Sequence, residues 1–409
     1  MSRALATGPH RVGVLFMQSQ TFFGADSQIH ASIMRHLDRD RFEVHCAVPR
    51  VRSGAAVASA EALRRIPDVG VRPTEFGPSL DGKSRAGLVR EVMRWGLPAA
   101  VSLAGLVRYA RRHRIDVVHC TEKPRDAIYG SLVARACGAR CVIHVHVKAE
   151  TWIRAAVRRA MHRAAALIGV TEFVAGSIRD LGYDPAKVFA VLNGLEVDEW
   201  IGPELDRDVI RREFEIGPDT PLIVSASRLY RYKGQHELLA ALPAVLREHP
   251  DVRVLIVGED DPRAYRDEAS YTAELKRMCD ELDLVDHVTF TGFRTDVRSI
   301  MAASDLFVMP SFEEPFGMVF IEAMSLGRPV VALDNGGTKE VVDHGRSGLL
   351  SQPGDTEELA RNIVSLLGDP ERRRRMGEHG RQRVVGLLDA ERMTAEVERV
   401  YLAILGGRS

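Results

Sequence analysis

The chain has 409 residues, of which 45% are apolar and 27% charged. At about 100–200 residues per domain this predicts two or three domains, and the composition excludes disorder, collagen or coiled coil as a reading of the whole. The zero net charge is unevenly laid out: residues 1–200 hold 29 Lys and Arg against 19 Asp and Glu, leaving 27 against 37 for the rest, so the halves carry +10 and −10.

Strand-like apolar runs alternate with helical patterns from end to end. Arg11–Phe16 reads as a strand, followed by a polar loop to Gly24 and a helix from Asp26 to Leu37. Glu43–Val48 and Ile115–His119 are further strands, the latter followed by a helix from Pro124 to Cys137. Cys141–Val147, Ala166–Val170 and Val188–Leu192 continue the series. In the second half, Leu222–Ala226, Val252–Val257, His287–Phe290, Asp305–Met309, Val330–Leu333 and Gly348–Leu350 read as strands. Helices are expected over Lys233–Glu248, Tyr271–Leu282 and Gly317–Ser325, and the last 40 residues read as helical and charged. Short apolar runs between helices indicate parallel sheets covered on both faces. The expected fold is therefore α/β, two βαβ domains with ligands at the carboxyl ends of the strands, in the cleft between the sheets. Asn-Gly and Gly-Pro between Asn193 and Leu205 mark the joint.

Opposite charge on the halves suggests different partners, the basic half suiting an anionic acceptor or membrane surface. It would equally help the halves close on each other. The longest mostly apolar stretch, Trp95–Val107, has 13 residues, too few to span a bilayer. No basic-then-apolar leader opens the chain, so a cytoplasmic protein is expected. Arginines flank Trp95–Val107 from Lys83 to Arg114, a pattern that fits a basic amphipathic helix on anionic lipid. A helix packed on the sheet with its arginines in solvent fits too, and Pro98 is expected to break the stretch. Five scattered cysteines read as reduced thiols, and no Cys/His spacing suggests a zinc site. No nucleic-acid partner is expected.

Two motifs carry chemistry. In Glu313-Glu314-Pro315-Phe316-Gly317-Met318-Val319-Phe320-Ile321-Glu322, seven residues separate the carboxylates of Glu314 and Glu322. Phe316-Gly317 starts a helix directly after a strand, and such a helix N-terminus suits a phosphate. The first acid could accept hydrogen bonds from a sugar, the second from a ribose; a capped helix with incidental acids has the same spacing. In Ser227-Arg228-Leu229-Tyr230-Arg231-Tyr232-Lys233-Gly234, Arg228 and Lys233 are two cations at a strand end ahead of a helix. They are placed for a diphosphate, though a plain basic loop also reads this way.

Together these motifs resemble the retaining, nucleotide-sugar-dependent glycosyltransferases of family 4, which have the GT-B fold of two Rossmann-like domains facing across a cleft. Val288–Phe293, Asp305–Ser311, Ala323-Met324, Gly327–Ala332, Gly336-Gly337, Glu340 and Gly348 follow in that family's order. The resemblance implies an acceptor-binding domain over residues 1–198, a donor-binding domain over 199–385, and a C-terminal helix over 386–409 packing back toward the first. It implies that Arg228 and Lys233 bind the donor diphosphate, Glu314 the sugar hydroxyls and Glu322 the ribose. The backbone at Phe316, Gly317, Met318 and Val319 would line sugar and phosphates, and Arg294 would lie against the base. The first half fits less closely. Phe23-Gly24-Ala25-Asp26 stands where the family often has Gly-Gly, a small residue and Glu; Gly24 can still let backbone approach a phosphate. Val118-His119-Cys120-Thr121-Glu122 lacks a second histidine sometimes seen there. His146 matches the family histidine beside the reacting sugar. Alternation puts His144 on the same face, and Lys148, Thr171 and Asn193 match positions near the cleft. Thr171 and Asn193 could equally be an N-cap and a turn.

The implied activity moves a hexosyl or N-acetylhexosaminyl group from a nucleoside diphosphate sugar, UDP by family frequency, to an acceptor hydroxyl. The donor is a substrate, so no cofactor is expected. No Asp-x-Asp clamp follows a predicted strand, and Asp260-Asp261 lies in a long loop, so metal-independent catalysis is expected. A phosphorylase or an epimerase shares the fold, and a non-catalytic nucleotide-sugar-binding homologue is a further alternative. A Rossmann oxidoreductase would need Gly-x-Gly-x-x-Gly after the first strand, which is missing.

Overall fold

Strands covered on both faces need no polar alternation, and the first apolar runs of the chain become strands of that kind. The computed structural model describes residues 11–50, 58–77, 85–150, 153–202, 205–260 and 270–406. The chain divides into two compact units, one formed by the chain up to Leu192 with the segment from Ala390, the other by Asn193–Asp389.

The first unit runs β1 (Val12–Met17), α1 (Ala25–His36), β2 (Phe42–Pro49), α2 (Ala58–Arg64), β3 (Val69–Thr74), α3 (Arg85–Arg112), β4 (Ile115–Thr121), α4 (Pro124–Cys137), β5 (Arg140–Val145), α5 (Ala155–Arg163), β6 (Ala166–Gly169), α6 (Glu172–Asp180) and β7 (Val188–Ala190). Its seven strands are parallel, in the order β3-β2-β1-β4-β5-β6-β7. Val14, Leu15, Phe16, Val117, Val118, Val142 and Ile143 are wholly buried in the central strands. The C-terminal helix Ala390–Leu405 packs its Met393, Val397 and Tyr401 face into this unit, and Glu398 accepts from the Asp38 N–H at 2.8 Å.

The second unit runs α7 (Val197–Trp200), α8 (Arg207–Glu213), β8 (Leu222–Ala226), α9 (Gln235–Glu248), β9 (Arg253–Val257), α10 (Tyr271–Glu281), β10 (Val288–Gly292), α11 (Val297–Ala303), β11 (Leu306–Val308), α12 (Met318–Ser325), β12 (Val330–Leu333), α13 (Thr338–Val341), β13 (Gly348–Ser351), α14 (Thr356–Leu367) and α15 (Pro370–Leu387). Its sheet is also parallel, β10-β9-β8-β11-β12-β13. Counted within each unit, both sheets begin 3-2-1-4-5-6. The winding reverses between β1 and β4 in one and between β8 and β11 in the other, where doubly wound sheets bind ligands.

The structure departs from the sequence reading in three places. Pro98 does not break its stretch: α3 is continuous through it. Pro98 is exposed, so the carbonyl of Arg94 that loses its N–H partner can turn to water. Strand β3 was not anticipated, because only Thr74 of it is buried and Pro73 interrupts its apolar pattern. Helix α12 starts at Met318 rather than Phe316, because Gly317 takes a left-handed conformation and caps it. Lys83, Asp261, Pro203 and Glu204, which figure in the sequence reading, lie outside the described residues. Among the described residues no helix is long and apolar enough to cross a membrane. All five cysteines are free.

Candidate active site

In the second unit two loops meet at the switch point. After β8 the chain passes through Ser227–Tyr230 into one 3-10 turn, Arg231–Lys233, and then α9. Gly234 joins turn and helix at φ +78°, where an added Cβ would lie 1.9 Å from the carbonyl oxygen of Pro310. Only glycine permits that approach, and it brings the loop after β8 against the loop after β11. The Phe312 N–H donates to the Tyr232 carbonyl at 2.7 Å. Lys233 Nζ then reaches Glu314 Oε2 at 2.6 Å, with only 14% and 8% of the two side chains exposed. The loop after β12 braces the acid from behind: the Gly337 N–H donates to the Glu314 carbonyl at 2.8 Å, and Glu313 N–H donates to Asn335 Oδ1 at 3.2 Å. Gly336, at φ +57°, would bring a Cβ within 2.6 Å of that same carbonyl.

Beyond Glu314 the chain enters α12 at Gly317, φ +86°, with no side-chain cap and no acid in the first turn. Its leading N–H groups and dipole are left uncompensated. The other helices following a switch-point strand differ, since α1, α4 and α9 carry Asp26, Asp126 and Glu237 in their first turns. Phe316 is buried under the α12 start, while Met318 and Val319 are half-buried. Glu322, also half-buried, faces no cation among the described residues, and burial pushes its carboxyl up to about 7. Arg228 is exposed, its guanidinium 5.2 Å from the Tyr230 ring centre. Arg294 is held by two carboxylates. Its donors engage Glu213 at 2.6 and 3.0 Å and Asp296 at 2.7 and 2.8 Å, and it lies over Phe214. Those bonds commit the edges of its guanidinium to tying α8 to the start of α11. Asp260 is likewise committed, accepting from Thr272 N–H and Oγ1 at 3.1 and 3.0 Å at the start of α10.

The first unit's switch point carries a pair of reversed order: Asp26, after β1, with Lys123, after β4. Gln20 also donates to Asp26, and Lys123 sits 5.5 Å from the Phe22 ring centre. Gly24 lies beside this pair. Asp26 already neutralises the start of α1, and Gly24 is in extended backbone, φ −93° and ψ −177°, that any residue adopts. A Cβ there would lie 2.7 Å from the exposed Phe22 ring and 3.5 Å from Asp26 Oδ1.

At the end of β5, the rings of His144 and His146 lie 4.4 Å apart on one face, His144 fully buried and His146 partly exposed. The His146 N–H donates to Glu122 Oε2 at 3.2 Å, and burial pushes the Glu122 carboxyl up to about 7. Thr171 caps α6, its Oγ1 accepting from Val174 N–H at 3.2 Å. Lys148 pairs with Glu150 at 3.1 Å beside Phe173. Asn193 is buried. Sequence reasoning missed Lys123 and the Asn335–Gly337 brace. Lys123 follows directly on β4, so its place after a strand was the available signal.

Two family models match the chain. "Glycosyl transferase 4-like domain" covers residues 27–194, and "Glycosyl transferases group 1" covers residues 206–383. The N-acetyl-alpha-D-glucosaminyl L-malate synthase of Bacillus anthracis is 25% identical over 75% of this chain and 80% of its own. The GDP-mannose-dependent alpha-(1-6)-phosphatidylinositol monomannoside mannosyltransferase of Mycolicibacterium smegmatis is 29% identical, covering 72% and 78%. Among solved structures, Anabaena HepE in complex with UDP and glucose superposes with a TM-score of 0.78 at 24% identity, covering 96% of this chain and all of that one.

Proposed function

The chain belongs to the family-4 type of GT-B glycosyltransferases, and from that premise we propose a retaining hexosyl or N-acetylhexosaminyl transfer from a nucleoside diphosphate sugar, UDP first, to an acceptor hydroxyl. The observation that carries the reading is the Lys233–Glu314 pair held beside the uncompensated N-terminus of α12. The bond from the anomeric carbon to the diphosphate breaks while the acceptor oxygen bonds to the same face of that carbon. The acceptor proton passes to an oxygen of the leaving diphosphate. Lys233 and Arg228 stabilise the charge gathering there, together with the N–H groups of Met318 and Val319. Glu314 accepts from sugar hydroxyls and Glu322 from the ribose. Two cations and a helix terminus supply positive charge for the leaving diphosphate, which supports a transfer without a divalent ion.

UDP as donor is supported by the UDP bound in the HepE structure, and the mannosyltransferase relative is named for GDP-mannose. Thermal stabilisation by UDP, GDP, ADP, dTDP and CDP, with and without magnesium, separates the two. A nucleotide at 100 times its dissociation constant adds about 2.7 kcal/mol to native stability. One metal-independent winner is expected, and no response to any of the five refutes the diphosphate site.

The acceptor is proposed to be lipid-linked and met at a membrane surface by a cytoplasmic protein. Helix α3 exposes Val89, Met93, Leu97 and Val101 at four-residue spacing, 58–82% accessible, with Arg90, Arg94 and Arg108 also exposed. Such a face suits anionic lipid. Sedimentation with anionic vesicles at low salt should be lost in Met93→Glu/Leu97→Glu. Equal sedimentation of that variant, or none of the wild type, refutes the surface.

A further inference from the structure

Four histidines, from α1, β4, β5 and the residue just beyond β5, converge beneath the β1/β4 switch point of the first unit. The ring centres of His30 and His119 are 4.6 Å apart, those of His119 and His144 5.4 Å, and those of His30 and His144 5.6 Å. His146 completes the group at 4.4 Å from His144 and 5.6 Å from His30. His30, His119 and His144 are fully buried. Yet Nε2 of His30, His119, His144 and His146, with Nδ1 of His144, has no hydrogen-bond partner among the described residues. A buried imidazole nitrogen left alone costs about 1–3 kcal/mol, and here five gather in one place.

We infer that His30, His119 and His144 form a binding site for a divalent transition metal, zinc first, with the partly exposed His146 at the fourth position and at the way in. One donor nitrogen from each of the three lies within 4.8 Å of the others. Tetrahedral zinc with bonds of about 2.0–2.1 Å needs nitrogens about 3.3 Å apart, so the rings close in by about an ångström. The donor set is all imidazole, which suits zinc, copper, nickel or cobalt and not magnesium or calcium.

The surrounding shell is of the kind that orients ligating histidines. His119 Nδ1 meets the Tyr401 hydroxyl at 2.5 Å, which can take its N–H and leave Nε2 to a metal. Gln18 Nε2 donates to His30 Nδ1 at 2.5 Å, so His30 ligates through Nε2 once that amide turns its oxygen to the ring. The phosphate-binding loops of the second unit play no part, so the inference stands apart from the proposed donor chemistry.

Untagged full-length protein is treated with chelator, dialysed against zinc and assayed for metal content. The cobalt(II) form is read by visible absorption. About one zinc per chain is expected, with intense tetrahedral cobalt bands. Both should be lost in His144→Ala and in His30→Ala and retained in His45→Ala, which alters the second histidine group, Glu43, His45 and His113. Should a core variant fail to fold, the wild type still decides: zinc at 100 µM should raise its melting temperature by several degrees. Wild-type protein that retains no zinc and shows no thermal shift overturns the site. Binding that persists in the folded His30 and His144 variants, or vanishes in His45→Ala, overturns it as well.

Discussion

Lys233→Met keeps the length of the side chain and removes its charge. Glu314, with 8% of its side chain exposed, then loses a partner 2.6 Å away. Removing one member of a buried ion pair costs about 3–5 kcal/mol. The pair is not wholly buried, so a loss of about 2–4 kcal/mol is expected, or about 5–15 °C in melting temperature for a unit of this size. Lys233→Met/Glu314→Gln leaves no unpaired charge and should recover at least half of the stability, measured by calorimetry. Turnover should not recover. Each single variant and the double should fall about 10²–10³-fold, because the charges are needed by the donor and not only by each other. A double variant no more stable than Lys233→Met would show that Glu314 does not depend on the lysine. A double variant with wild-type turnover would reduce the pair to a structural contact.

Three further outcomes are expected. Burial raises the Glu322 carboxyl from 4.5 to about 7, so its contribution to stability is whole below pH 4.5 and lost as pH rises through 7. Glu322→Gln should therefore gain on the wild type between pH 5 and 8, by up to about 3 kcal/mol, and should abolish a strengthening of nucleotide binding from pH 6 to 8; parallel profiles would remove Glu322 from the ribose. Gly336→Ala must place a Cβ 2.6 Å from the Glu314 carbonyl at φ +57°; a loss of about 1–3 kcal/mol with a fall in kcat/KM is expected, and unchanged kcat/KM would show that the brace does not position Glu314. Thr171→Ala should cost about 1 kcal/mol as a lost N-cap with turnover unchanged, and a ten-fold fall in turnover would restore its acceptor-side role.

The central strands were legible because a strand covered on both faces is a bare apolar run. Leu222–Ala226 and Val330–Leu333 coincide with β8 and β12 to the residue. Edge strand β3 was not legible, since it buries only Thr74 and its side chains need no pattern. Lys233 and Glu314 were visible as residues after strands. Their pairing was not, because it depends on Gly234 lying against Pro310 and on Gly337 holding the Glu314 carbonyl, contacts between segments far apart in sequence. The histidine cluster was hidden for the same reason. Its members come from α1, β4 and β5, and a search for metal-ligand spacing sees only local repeats. The carboxylate partners of Arg294 were not legible, because a strand-end arginine says nothing of Glu213, which faces it from another helix.

The two sheets share their strand order, so topology alone does not say which unit takes the anionic donor. Both switch points even carry a lysine and a carboxylate, on opposite strands. The difference lies in where the acid stands. Asp26 occupies the first turn of α1, so that helix start already faces a negative charge and a phosphate arriving there would be repelled. Glu314 stands in the loop before α12, four residues short of its first residue, and is answered by Lys233, so the helix start remains positive. A diphosphate placed at α12 meets a helix terminus, Lys233 and the exposed Arg228. One placed at α1 meets Asp26 in the first turn of the helix. This charge pattern favours the second unit for the donor proposed above, on grounds that hold without reference to any relative.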